Sequence, residues 1–506
     1  MKCFTRRDQV SVWLLVLATC LFVSCSGLPK TSSGGSSGGS GGGGGGTGTG
    51  TKTLTVSMIA GPEFVQSSFT ILAFTAQITS LVLNETSGST IPLKLAQTPY
   101  PVDFNRLTTD SALVITSDTL PITTPTSSMT MAVQNISVTI ANGPTAIGSC
   151  AANAVCQFTA PPAVTTITAQ LFPGALAPGS DGKLNIYLSV RAQDIVTAGS
   201  SGIQITFSLA NSNTVSGAFL PRKGSTSAIG LELVQDFTGV VTAASANSVT
   251  VTSGSGVAVT AALNSSTTLD VPQSTLCSAK TVAACVIQGA VVSLDAAMAS
   301  GGALTATEID LLDPAVVDSI EGTIYSVGGS FFLVVTDKQV VSTNTTLMGA
   351  NIGDVFAVTL APAATFVVDT KNLTAASPPV PVNLFASSAD ILGGQTVRLH
   401  VTAASGSKAT NDQALTAGQV QLRFSRVTAT ASPSSTPVIV VSNFNQIFKV
   451  SGTPIQAQTY SGITTYDNGI TSNSDIGGVG TSNLVSMRAL LLKGQPNFFV
   501  TTIRDQ

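Results

Sequence analysis

The chain has a single histidine, His400, so a serine or cysteine triad would have to use it as the base. It stands in the alternating run Val397-Arg-Leu-His-Val401, which puts Arg398, His400 and Thr402 on one face of a strand. That face reads as an exposed polar row, and His400 as a surface residue rather than a general base. Carboxylates gather once, at Glu308, Asp310, Asp313, Asp318 and Glu321. Such a group could coordinate calcium or cleave a glycosidic bond. Glu308 and Asp310 lie two apart on one strand and the others flank Pro314, so a solvated join between modules accounts for them. No Gly-x-Ser-x-Gly elbow sits between a strand and a helix, and there is no phosphate loop ending in Gly-Lys-Ser/Thr. The expectation is a non-enzymatic protein with no catalytic residue, no metal and no cofactor.

Two further groups have weaker chemical content. Tyr460 and Tyr466 flank a glycine-containing turn and read as hairpin packing before they read as a sugar-stacking pair. Ser180-Asp181-Gly182 is a turn before it is a ligand set. Charged residues make up only 9% of the chain, against about 25% in ordinary globular proteins. The formal charge of −3 becomes −5 once Lys2, Arg6, Arg7 and Asp8 are removed with residues 1–24. No basic face is available to follow a phosphate backbone, so nucleic acid is not an expected partner.

The elements that must position these residues are strands. Thr53–Ser57, Ile136–Ile140 and Ile203–Phe207 alternate apolar and polar residues, rich in Thr and Val. Turn chemistry separates such runs at Asn142-Gly143-Pro144 and Asp467-Asn468-Gly469. No amphipathic helix is evident beyond a turn or two near Phe104–Leu107. The class is therefore all-β. Length and pattern divide the chain into residues 1–24, a flexible Gly/Ser-rich tether at 25–52, a β-sandwich at 53–230, and modules at 231–314, 315–426 and 427–506, the last degenerate.

The three modules share an order of parts. Phe237-Thr-Gly-Val-Val241, Ile320-Glu-Gly-Thr-Ile324 and Val427-Thr-Ala-Thr430 open them, and a closing strand pair is entered through glycine at Gly289 and Gly394. This resembles small five-to-six-stranded barrels of the oligonucleotide/oligosaccharide-binding (OB) type, seen as uncharacterised tandem domains in exported bacterial proteins. Two or three such barrels with short joins, among them Asp310–Pro314 and Ser425-Arg426, would form an elongated rod. Asp103-Phe-Asn-Arg-Leu107 followed by Leu120-Pro121 resembles an uncharacterised β-sandwich domain of bacterial lipoproteins.

The N-terminus carries a further resemblance. A basic start, a short apolar run at 12–24 and Phe22-Val23-Ser24-Cys25 are similar to a bacterial lipoprotein signal peptide. The resemblance implies that Cys25 is acylated, carries palmitate-type chains and becomes the first residue of the mature protein. Ser26 implies sorting to the outer membrane. The implied location is the cell envelope, periplasmic or surface-exposed, with the membrane held through the N-terminal lipid and another envelope protein or a polysaccharide as partner.

Of seven cysteines, Cys3 and Cys20 leave with the signal and Cys25 takes the lipid. Cys150, Cys156, Cys277 and Cys285 remain, an even number that reads as disulfides in an exported chain, with three connectivities open. A four-thiolate zinc site is the rival, although structural sites favour tighter spacing. Two other functions stay open beside a binding or structural role: a carbohydrate-active enzyme using Glu308 and Asp310, and a carrier holding an apolar molecule in a barrel.

Overall fold

Alternation in the sequence becomes sheet wherever one strand face is buried and the other is not. A computed structural model describes residues 52–505 apart from 62–68, 96–97, 111, 161–163, most of 171–182, 192–195, 200–201, 206–231, 254–257, 272–276, 299–302, 313–317, 341, 371–372, 374–378, 411, 432–437, 449–455, 460–464, 468–483 and 496. Cys25, the tether, Asp313, Tyr460 and the Ser180–Gly182 turn lie outside the described residues.

The N-terminal part is a β-sandwich of β1 (Lys52–Gly61), β2 (Phe69–Glu85), β3 (Thr90–Leu93), β4 (Tyr100–Asp103), β5 (Ala112–Leu120), β6 (Thr126–Asn142), β7 (Val155–Thr159), β8 (Thr165–Gln170), β9 (Lys183–Arg191) and a hairpin of β10 (Val196–Gly199) and β11 (Gly202–Ile205). One sheet runs β5-β1-β9; the other runs β3-β2-β6-β7, with β4 on β2 and β8 on β6. Leu54, Val56 and Met58 of β1 share a core with Phe74, Ile78, Val133 and Val138 of the facing sheet.

Three small barrels follow. The first contains β12 (Glu232–Ala244), β13 (Ser248–Thr252), β14 (Ala258–Ala262), β15 (Thr268–Asp270), a helical turn α1 (Val282–Cys285), β16 (Val291–Met298) and β17 (Leu304–Leu312). The second contains β18 (Ser319–Val327), β19 (Phe331–Gln339), the short helix α2 (Thr345–Gly349), β20 (Val355–Val368), β21 (Thr396–Ser405) and β22 (Ala414–Arg423). The third contains β23 (Ser425–Ala431), β24 (Val438–Ser442), β25 (Gln456–Thr459), β26 (Thr465–Asp467), β27 (Leu484–Leu490) and β28 (Asn497–Asp505).

The second barrel closes in the order β18-β19-β20-β22-β21, with β20 and β22 parallel. The same connections recur in the others, where β14 meets β17 and β25 meets β28 in parallel. This is the strand order of an OB-type barrel: the opening strand pairs with the second and fourth, and the third pairs with the fifth.

The repeat is visible in register as well as in order. Phe237 pairs with Leu294, Ile320 with Leu399 and Val427 with Met487. Gly289 donates to Val241 O while Val241 donates to Ala290 O, and Gly394, Ile324 and Gln395 repeat that exchange. Both glycines hold φ near +90°, the left-handed region that glycine enters without a Cβ penalty. On the opening strands a Cβ at Gly239 would lie 2.4 Å from Thr252 O, and one at Gly322 would lie 2.3 Å from Val334 O. Only glycine permits that closeness of the first two strands.

Side chains fill the barrels. Ile320, Leu333, Phe356, Val397, Leu399, Val420 and Leu422 pack the second one. Residues 50–506 make one compact unit: one core runs from the sandwich into the first barrel, another from the second barrel into the third, and the Arg423–Asp310 ion pair links the first barrel to the second. Leu490, Leu492 and Phe499 of the third barrel enter the core of the second. Ser425-Arg426 is no linker but the start of β23, with Ser425 buried and Arg426 half-buried. Disulfides join Cys150 to Cys156 and Cys277 to Cys285, with Cα–Cα distances of 5.8 and 5.6 Å, so the thiolates of a zinc site are consumed.

Candidate functional site: two buried charged junctions

In the second barrel, Val397, Leu399 and Val401 point inward, so Arg398 and His400 point out. The outward face is not wet. The first barrel covers it, leaving Arg398 1% and His400 4% exposed; of the expected polar row only Thr402 reaches solvent. His400 is therefore a buried residue, which corrects the surface reading.

The acidic cluster is corrected in the same way. Glu308, Asp310 and Glu321 are 5%, 1% and 3% exposed, and only Asp318, half-buried, resembles the solvated join expected. Asp318 caps a turn instead, its Oδ1 accepting from Ser342 N at 3.0 Å.

These groups form the junction of the first and second barrels. Glu321 on β18 stands directly across from Arg398 on β21, and Arg398 Nη2 donates to Glu321 Oε2 at 3.0 Å. The same nitrogen donates to Thr238 Oγ1 on β12 of the first barrel at 2.7 Å. Arg423, at the end of β22, has its Nε 3.4 Å from Glu321 Oε2. Its Nη1 is 2.5 Å from Asp369 Oδ2 and 3.5 Å from Asp310 Oδ2. Asp310 belongs to the first barrel, so both arginines bridge the modules. Carboxylate oxygens of Asp270, Asp310 and Asp369 lie within 4.8 Å of one another.

A second junction is built on the Asp103–Leu107 segment. Asp103 ends β4, and its Oδ1 accepts from Phe74 N and Asn105 N at 2.9 and 3.0 Å. This folds the chain back so that Phe104 packs on Phe74, with ring centroids 5.2 Å apart. A 3-10 turn at Arg106–Thr108 follows. From it Arg106 reaches three parts of the molecule: Asp110 of the sandwich at 3.1 Å, the Gln235 carbonyl of the first barrel at 3.4 Å, and Asp337 of the second at 3.3 Å. Asp110 in turn receives Arg426 Nη2 at 2.5 Å and lies 3.6 Å from Arg488 Nε, both from the third barrel. All four modules thus meet around one arginine–aspartate pair.

A cavity of about 20 Å³, room for one water molecule, lies beside this pair among Asp103, Thr336, Thr428 and Asn445. Asp103 Oδ2 and Thr336 Oγ1 belong to residues that line it and have no hydrogen-bond partner among the described residues, so they are the groups such a water would satisfy. Burial pushes the Asp103 carboxyl up to about 6, against the pull of the Phe74 amide and of Arg426.

Among the expected residues the structure brings together Asp310, Glu321 and Arg398. It leaves Asp318 apart and places Tyr466 on β26 opposite Ile503. It adds Asp110, Asp270, Asp369, Arg106, Arg423 and Arg488, which sequence reasoning did not single out. A signal for them existed: in a chain with 9% charged residues, an arginine inside an apolar strand pattern, as at Arg423 and Arg488, implies a buried partner. No family model and no curated protein matches the chain.

Proposed function

We propose that this is a lipid-anchored cell-envelope protein, held by acylated Cys25 and a Gly/Ser tether, whose role is structural or binding rather than catalytic. The observation that carries the reading is the use of buried charge. Arg106, Arg398, Arg423, Arg426 and Arg488 each pair with a carboxylate at a join, so charge serves to fix the modules against one another. Glu308 and Asp310 are buried at a join, where a polysaccharide chain does not reach them. The packed second barrel likewise disfavours an apolar cargo.

A folded body on a flexible tether suits presentation of a surface to a partner within reach of the membrane. The partner is another envelope protein or a polysaccharide. The closed barrel has no strand edge to offer, whereas β7 and β8 of the sandwich pair only with β6 among the described strands. An added partner strand would pair there. The test is labelling of cells with clickable palmitate. Wild type incorporates the label and Cys25→Ala does not; label that persists in the variant removes the anchor. Proximity crosslinking on whole cells should then recover a consistent envelope partner, and recovery of none removes the binding role.

A further inference from the structure

Asp103 ends β4 where the sandwich meets the second and third barrels, and it is 6% exposed. Its two oxygens stand in different surroundings. Oδ1 accepts from the amides of Phe74 and Asn105, both within the sandwich. Oδ2 has no hydrogen-bond partner among the described residues, and Asp103 lines the water-sized cavity at the junction. Thr336, on β19 of the second barrel, lines the same cavity, and its buried hydroxyl is likewise without a partner among the described residues. An oxygen that already accepts from two amides is poorly placed to hold a proton, so a protonated Asp103 carries it on Oδ2. There the carboxyl becomes a donor. The Thr336 hydroxyl, reached directly or through one water, is the acceptor from the other module.

Ionisation changes what this spot requires. A buried carboxylate costs far more than a buried neutral carboxyl, and hydration recovers that cost only when the junction opens. The charged side chains described on the elements that meet here do not cancel it. The Asp103 segment itself brings Arg106 and Asp110, β19 brings Asp337, β23 brings Arg426 and β27 brings Arg488. Arg106 is shared between Asp110 and Asp337, and Arg426 is bound to Asp110. Toward the cavity β2, β18 and β21 present uncharged residues, Thr70, Thr323 and Thr396 among them. Burial therefore outweighs the pull of both arginines, and the carboxyl keeps its proton up to about 6.

We propose that Asp103 is a proton-operated latch: protonated, it ties residues 103–110 to the second barrel at Thr336; with the proton released to solvent, it admits water to the cavity and frees that segment. The segment includes Arg106 and Asp110, through which all four modules meet, so the latch governs how firmly they hold together. Acid tightens the junction and neutral surroundings loosen it. An opened state that returns Asp103 to ordinary solvation gains about tenfold in population for each pH unit between 3.8 and about 6, and little beyond.

The test is hydrogen exchange on purified full-length protein, read by mass spectrometry and corrected for the intrinsic pH dependence of amide exchange. The peptide covering residues 103–110 should lose roughly tenfold in protection between about pH 5 and about pH 7. It should also be less protected throughout than the peptide covering β13, whose amides lie inside the sheet of the first barrel. Asp103→Asn, which cannot ionise, should hold one level of protection across that range. Protection of 103–110 indifferent to pH in wild type overturns the inference, as does a trend that survives in Asp103→Asn. A segment as strongly protected as β13 overturns it too, since its opening would then be unfolding of the whole chain. Should the variant not fold, wild type decides alone, by its pH trend and by the comparison with β13.

Discussion

Replacing Asp110 by alanine removes the carboxylate on which three guanidiniums converge. Asp110 is 2% exposed, and Arg106, Arg426 and Arg488 are 17%, 9% and 3% exposed at their side chains. Arg106 keeps Asp337 and the Gln235 carbonyl, which softens its loss. Arg426 gives both Nε and Nη2 to Asp110, at 3.2 and 2.5 Å, and bears the loss most directly. Removing one member of a buried ion pair costs about 3–5 kcal/mol, chiefly because the partner charge stays buried. That is a large share of a total stability of roughly 5–15 kcal/mol. Urea unfolding followed by circular dichroism should therefore show a much lower midpoint for Asp110→Ala. Asp110→Asn keeps an acceptor and should fall between variant and wild type. Adding Arg426→Met to Asp110→Ala should recover part of the loss, since the double variant leaves one fewer orphan charge. A loss below about 1 kcal/mol for Asp110→Ala would refute the reasoning, because that is the size expected of a solvated pair.

Asp103 makes stability depend on pH. Its carboxyl sits at about 6 in the folded chain against 3.8 when unperturbed, so between those values the folded state keeps a proton that the unfolded state has lost. This contribution is favourable at low pH and declines as pH rises through about 4 to 6, by roughly 3 kcal/mol at most. Asp103→Asn, whose amide oxygen still accepts from Phe74 and Asn105, should flatten that decline in denaturation measured across the range; an unchanged slope counts against the assignment. Gly322→Ala should destabilise by about 1–3 kcal/mol through overpacking against Val334 O, read as a lower thermal midpoint. A neutral result there would mean that the first two strands of the barrel separate freely.

The strands were legible because alternation and turn residues are local. Thr53–Ser57 and Ile136–Ile140 fall within β1 and β6, and the glycine before each closing pair appears in place at Gly289 and Gly394. The barrel order was legible because the three modules repeat it. What alternation cannot say is which outward face another module will cover. Val397–Val401 fixes Arg398 and His400 on one side, but whether that side meets water depends on β12 and β17, whose Thr238 and Asp310 lie 160 and 113 residues before the arginines they meet. The same ignorance made the acids near Glu308 look solvated. Asp270 and Asp369 were invisible for a related reason: each stands alone in sequence and acquires neighbours only when β15 meets β17 and the end of β20 faces both.

The partners of Asp110 lie far along the chain: Arg426 is 316 residues downstream, and Arg488 later still. A polypeptide emerging from its N-terminus can build the sandwich early, with Arg106 already beside the carboxylate at its base, yet Arg426 and Arg488 reach it only when the last barrel is out. A product cut short before Arg426 lacks two of the three arginines that approach that acid in the whole chain. The Asp110 contact thereby joins the first-made part of the molecule to the last.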